Sequence, residues 1–397
     1  MTFRELIGKL HLWLGLASGL VVFIVSLTGC VYVFQPELFS ATHRSLLQVA
    51  PPPAAQPLPY TVIWQRAQQA LGAQYPLVYG TAYRDPSRAW TFMAYQGQAG
   101  RPYFGGMITH YYTVYMNPYT GQATGILNNK YEFFEMVRWL HWGLWLGAAG
   151  EWLVGYCTLV FVLMLLSGLV LWWPRNKAAR KQRFKIKWDA SGKRLNYDLH
   201  SAAGFYVTLV SLAIALTGLT WSFAWVRNGI GYLATGRTEA PAASAPTAPP
   251  RALRPAELQQ VAQRLDQAVR ETWQRVPAAA SLAATPVTTA ATPLVVRVNE
   301  RLTTYYRTDQ LTFDARTGAL QKLELYRDKP AGEQFVGMNY DIHVGAILGW
   351  PTKVLAFVAS LLCATLPVTG FFVWWNRLRR NKKPHRQPAA ARIALPA

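Results

Sequence analysis

The sequence predicts a membrane α-helical protein with four transmembrane helices in two tandem parallel repeats and two α+β domains outside the bilayer on one side. Three observations predict this class. The chain has 397 residues, of which 51% are apolar and only 15% charged, against roughly 25% charged residues in an ordinary soluble chain. Four charge-free stretches are long enough to cross a bilayer, which takes about 20 apolar residues. Chemistry-bearing residues also recur at matched offsets in the two halves of the chain. The net charge of +21 does not indicate a nucleic-acid binder, because the basic residues are concentrated in two short stretches rather than spread over a folded surface.

Taken in order, the elements run as follows. The first span, 10–36, far exceeds the roughly 7–15 apolar residues of a signal-peptide core and is echoed later in the chain, so it reads as a retained helix. Segment 37–150 opens with a Pro/Ala-rich linker, Ala50 to Pro59, continues with a helix pattern from Tyr60 to Leu71, and then turns to β-like runs such as Thr109 to Met116. The second span is 152–174. Segment 175–198 is a basic loop, with nine basic residues and one acid between Arg175 and Arg194. The third span is 199–226. Segment 227–350 repeats the outer order with a linker from Ala240 to Pro255, a helix from Pro255 to Val269 and a strand from Leu294 to Val298. The fourth span is 354–376, and the tail 377–397 carries seven basic residues and no acid. Turn sequences recur in both outer segments, Asn117-Pro118-Tyr119-Thr120-Gly121 and Asp314-Ala315-Arg316-Thr317-Gly318. The positive-inside rule puts the loop, the tail and both termini in the cytoplasm. Cys30, Cys157 and Cys363 lie in apolar runs, and no CxxC, haem-attachment CxxCH or disulfide framework is present.

The duplication is the most informative pattern. His11 is followed by Gly15 and Thr28-Gly29, and His200 by Gly204 and Thr217-Gly218, at the same offsets. His141 is followed by Ser167-Gly168 and Trp172-Trp173, and His343 by Thr369-Gly370 and Trp374-Trp375, again at equal offsets. His11 and His200 fall at the cytoplasmic starts of spans one and three. His141 and His343 fall on the outer side. Only residues on the same side can meet, so the expected couples are His11 with His200 and His141 with His343, each bridging the halves. His43, His110 and His385 have no counterpart and receive no ligand role.

Ionisable residues near spans are costly and usually functional, and neutral imidazole is a common metal ligand. Zinc wants about four protein ligands, and neither pair has a third or fourth soft ligand nearby. Two opposed imidazoles do suffice for a six-coordinate b-type haem. The expected cofactors are therefore two b-type haems, one at each face, with the four histidines as axial ligands to the iron. Gly15 and Gly204, on the histidine face of their helices, suit a flat slot for the macrocycle, and close helix packing explains them equally well. The 32 residues from His141 to Trp173 would make an unbroken helix of about 48 Å, longer than the ~30 Å hydrocarbon core. Short outer helices carrying His141 and His343 are therefore expected, bent at Gly147–Gly150 and Gly349–Pro351, with that haem at the outer interface. Glu151 and Lys353 occupy equivalent positions and read as a salt bridge across the pseudo-twofold axis, with Lys353 alternatively a propionate ligand or either residue an interfacial anchor.

Leu10-His11-x-Trp13-Leu14-Gly15, the paired Asn-Tyr-Asp-x-His of 196–200 and 339–343, the Ser/Thr-Gly-x3-Trp-Trp closing spans two and four, and the Pro-Tyr-Thr-Gly turn at 118–121 together resemble the PepSY-associated transmembrane family. The resemblance covers nearly the whole chain, although Ala315-Arg316 replaces Pro-Tyr in the second turn. It implies a bacterial inner-membrane protein with two periplasmic PepSY-like domains, and reduction of a periplasmic ferric siderophore or other ferric chelate to release iron. Membrane lipid is the expected surroundings and nucleic acid is not a partner. The cytoplasmic loop and tail are too short for a nucleotide-binding domain and no GxGxxG is present, so electrons must come from a separate cytoplasmic or quinol donor. The rival readings are a haem-free PepSY-domain binding or regulatory protein and a metal transporter.

Overall fold

The computed structural model describes residues 1–98, 101, 103–174, 183–237, 254–286 and 292–381. The linker residues 240–253, the first part of the basic loop and the tail beyond 381, with His385, lie outside the described residues.

Four helices are long and apolar enough to cross a membrane: Phe3–Val33, Gly147–Trp172, Gly192–Ser222 and Trp350–Arg379. Each extends past one or both ends of its apolar run, because helical turns outside hydrocarbon tolerate polar residues. A reciprocal cap starts the first span, with Thr2 Oγ1 accepting from Glu5 N and Glu5 accepting from Thr2 N. Phe223 leaves the helical region and ends the third. The spans pack in a ring, with the first against the second and fourth and the third against the same two. Leu20, Leu163, Leu209 and Leu361 point outward and are exposed, as helices solvated by lipid require.

The two outer segments, expected as two small α+β domains, share one antiparallel sheet. Strands β1 (Tyr79–Tyr83), β2 (Trp90–Gly97), β3 (Ile108–Met116) and β4 (Ala123–Asn128) come from the first segment. Strands β5 (Ser281–Ala284), β6 (Leu294–Asn299), β7 (Thr308–Phe313) and β8 (Leu320–Glu324) come from the second. The order is β4-β3-β2-β1-β5-β6-β7-β8, and the seam is the antiparallel β1–β5 pairing, Gly80 opposite Ala284 and Thr81 opposite Ala283. Alternate residues of these strands, among them Phe92, Val114, Leu282, Val296 and Leu311, enter one apolar core with Ile63, Ala67 and Leu265 of the helices Tyr60–Leu71 and Pro255–Arg275. Those two helices are tied to each other and to the seam. Asp266 accepts from Thr61 N (2.9 Å) and Thr61 Oγ1 (2.6 Å), and Tyr60 donates to the carbonyl of Ala284 (2.7 Å). The two expected turns form alike. Asn117 Oδ1 accepts from Tyr119 N and Asp314 Oδ1 from Arg316 N, and Gly121 and Gly318 take φ of 67° and 79°, which glycine adopts without penalty.

From the sheet the chain returns to the bundle through short helices. Phe133–Gly143 carries His141 and Asn339–His343 carries His343. The breaks fall at 144–146 and 344–349, slightly ahead of the first expected bend. Leu144 and Trp145 adopt φ of 51° and 59°, held there by Trp145 Nε1 donating to Met136 O (2.8 Å) and Phe104 N to Trp145 O (3.1 Å).

Candidate functional site: two histidine pairs in the bundle

The two expected couples meet. His11 and His200 have ring centroids 6.5 Å apart with planes at 84°, and His141 and His343 are 6.1 Å apart at 73°. The first couple lies at the end of the bundle away from the sheet, here the distal site, and the second toward it, the sheet-side site.

Each imidazole is held through Nδ1 by a hydroxyl from the neighbouring span. His11 pairs with Ser167 (2.8 Å), His141 with Thr28 (3.0 Å), His200 with Thr369 (3.0 Å) and His343 with Thr217 (3.1 Å). Each hydroxyl gives its own proton back to a carbonyl one turn earlier in its helix: Ser167 to Met164, Thr28 to Ile24, Thr369 to Thr365 and Thr217 to Ile214. It therefore accepts from the ring. His141 and His343 also reach carbonyls, Val25 O (2.9 Å) and Ile214 O (3.0 Å), which can only accept. The proton is thus on Nδ1 in all four rings, and Nε2 keeps the lone pair that binds metal.

The glycine after each hydroxyl makes room for the ring. A Cβ would lie 3.4 Å from His141 Cε1 at Gly29 and from His11 Cε1 at Gly168, and 3.1 Å from His343 Cε1 at Gly218 and from His200 Cε1 at Gly370. The Asn-Tyr-Asp-x-His motif completes the second half. Asn196 Nδ2 donates to Thr369 O (3.0 Å), and Asn339 Nδ2 to Thr217 O (3.3 Å) and Thr220 Oγ1 (3.0 Å), so each Asn grips the residue that orients its histidine. The two aspartates are buried. Asp341 accepts from Tyr305 N (2.9 Å) and Asp198 from Arg194 Nε (2.9 Å). They brace the backbone and do not reach the rings.

Each pair opens into a largely apolar cavity, about 400 Å³ at the distal site and about 350 Å³ at the sheet-side site. Gly15 and Gly204 both line the distal cavity. A Cβ at Gly15 would press to 2.8 Å on Met164 Cε, whereas one at Gly204 would make an ordinary 3.7 Å contact with Leu366. Gly15 therefore serves both the cavity wall and helix packing. Arg4, Arg183 and Arg377 line the distal cavity and Arg138 the sheet-side one. Arg138 is held by Glu135 through Nε (2.9 Å) and Nη2 (2.5 Å) and lies over Trp139.

Two expectations change. The sheet-side pair does not lie above the spans. His141 reaches Val25 and Thr28, five to eight residues below the end of the first span at Val33, about 8–12 Å of helix, because its short helix folds back alongside the spans. Lys353 does not pair with Glu151. It is 3% exposed and binds Glu37 Oε1 at 2.6 Å, because Glu37 follows the first span and that span packs directly on the fourth. Composition and spacing had not indicated Arg138, the hydroxyls as histidine partners, or Glu37. The Ser/Thr-Gly offsets were the available signal for the hydroxyls.

A ring of four apolar spans capped by an extramembranous sheet defines a polytopic membrane protein. The chain belongs to the PepSY-associated transmembrane family: the family model described as PepSY-associated TM region matches residues 9–377. No curated protein matches the chain.

Proposed function

We propose that this chain is a dihaem b-type oxidoreductase of the bacterial inner membrane that carries electrons to a periplasmic acceptor, a ferric siderophore or other ferric chelate. The observation that carries this reading is the centroid separation of 6.1–6.5 Å in two matched pairs. Two Nε2 atoms sharing one iron, at a metal–nitrogen bond of about 2 Å and a ring radius of roughly 1.1 Å, would put the ring centroids about 6.2 Å apart. The lone pairs on Nε2, the cavity volumes and the arginines suited to carboxylates fit a haem as well. Bound there, a haem would supply a one-electron ferric/ferrous couple suited to outer-sphere transfer.

The chain's own groups do the rest. The hydroxyls fix the ring planes, the apolar lining excludes water, and Arg138 and Arg4 present cations to propionates. The equal offsets support two tandem halves running parallel, and the basic residues support a distal site on the cytoplasmic side with the sheet in the periplasm. Donor electrons arrive from a separate protein or a quinol.

The detergent-solubilised protein should show a reduced low-spin b-type spectrum with two haems per chain, and it should reoxidise when a ferric chelate is added. Replacing His343 with Ala should remove one haem only. A colourless protein would refute the proposal and favour a haem-free binding or transport role.

A further inference from the structure

The two cavities adjoin, and the residues they share are few. Val22 and Phe161 line both. Val22 stands eleven residues after His11 and Phe161 twenty after His141, while the same offsets from His200 and His343 lead to Ser211 and Cys363. The partition is therefore built from matched positions of the two halves but is chemically unequal. Ser211 and Cys363 are buried, bonded to each other (Oγ to Sγ 3.0 Å), and line the sheet-side cavity without reaching the distal one. Phe161 bridges. Its ring packs against the cluster of Val162, Ala215 and Leu219 and against that of Val207, Ala359 and Cys363, so residues of the second, third and fourth spans fix it between the sites.

We propose that Phe161 is the contact through which an electron crosses from the distal to the sheet-side site, an inference that rests on the dihaem reading above. Transfer through packed, bonded atoms is faster than transfer across a gap, and Phe161 is the aromatic side chain that touches both cavities among the described residues. With haem bound at both sites, the step would move one electron, oxidising the distal iron from ferrous to ferric and reducing the sheet-side iron from ferric to ferrous, with no bond formed or broken and no proton moved. The electron enters from the cytoplasmic or quinol donor and leaves to the ferric chelate. Phe161 acts as a positioning residue, filling the path rather than reacting.

The test compares the full-length protein with F161A, F161V and F161L in proteoliposomes, with L212A as control. Leu212 packs in the same cluster but lines neither cavity. Haem stoichiometry and low-spin spectra are recorded first, with H200A and H343A supplying the separate spectra of the two sites. A membrane-impermeant reductant is then mixed on the periplasmic side, and reduction of the distal haem is followed. F161A, which opens a gap, should keep two haems per chain and slow that second phase at least tenfold, while F161L, which refills most of the path, and L212A stay close to the parent. F161V, which shortens the side chain without emptying the site, carries the test should F161A shed haem. An unchanged rate in the truncated variant at full haem content overturns the role of Phe161 and leaves the dihaem reading standing. A parent protein without haem overturns both.

Discussion

Four hydroxyl groups orient four imidazoles, and removing one tests the arrangement at the scale of a single atom. Ser167→Ala leaves His11 Nδ1 without its partner. Loss of such an outer partner costs roughly 10–100-fold in metal affinity, so the distal site should lose haem preferentially on dilution, measured by haem retention after gel filtration. Thr217→Val should cost less, because His343 keeps the carbonyl of Ile214. Crowding tests the same rings. Gly218→Ala would bring a methyl to 3.1 Å from His343, whereas Gly229→Ala, on a helix (Ala224–Thr235) that lines neither cavity, meets nothing within 4 Å. The first should lower sheet-side haem content and the second should leave it unchanged, as read from difference spectra. The histidines and the Ser/Thr-Gly pairs were both legible in the sequence as equal offsets. Their partnership was not. Thr217 and His343 are 126 residues apart, and only the order of helices around the ring decides which hydroxyl faces which imidazole.

Among the elements, the spans could be read from charge-free length alone, since lipid tolerates little else. The depth of the histidine-bearing helices could not. Helical periodicity tells which residues share a face, and says nothing about whether a short helix stands above the bilayer or folds back beside a neighbour. The breaks at Leu144–Leu146 and Val344–Gly349 turn these helices inward, and packing against Val25 and Ile214 fixes them. The junction between the first and fourth spans rests on Lys353 and Glu37. Converting Glu37 to Gln strands the buried ammonium and should destabilise by roughly 3 kcal/mol, the low end for a buried pair because Glu37 is partly exposed. The double change Glu37→Gln with Lys353→Met should recover most of that loss. Thermal unfolding in detergent, monitored by circular dichroism, reads both.

For the whole molecule, the seam joining the outer segments is the decisive contact. Thr81 and Ala283 face each other across it, so a Thr81→Cys, Ala283→Cys variant should form a disulfide on oxidation. Peptide mass spectrometry without reductant would detect it, and its absence would argue against a continuous sheet. The sequence showed a helix and β-like runs in each outer segment, and the Asx turns and amphipathic helices formed where their residues indicated. That the segments would merge was not legible. β1 and β5 are short, and nothing in their composition marks a strand as internal or as the edge of a separate domain.

This seam also orders the chain's birth. Tyr79–Tyr83 leaves the ribosome some two hundred residues ahead of Ser281–Ala284, and two more passages through the translocon separate them. Until the later strand arrives, the earlier one offers unpaired amide and carbonyl groups to any passing strand, and His11 and His141 have no opposite number. A truncated product ending in the basic loop would therefore be sticky and would hold only one imidazole of each pair, which makes completion of synthesis a condition for closing both sites.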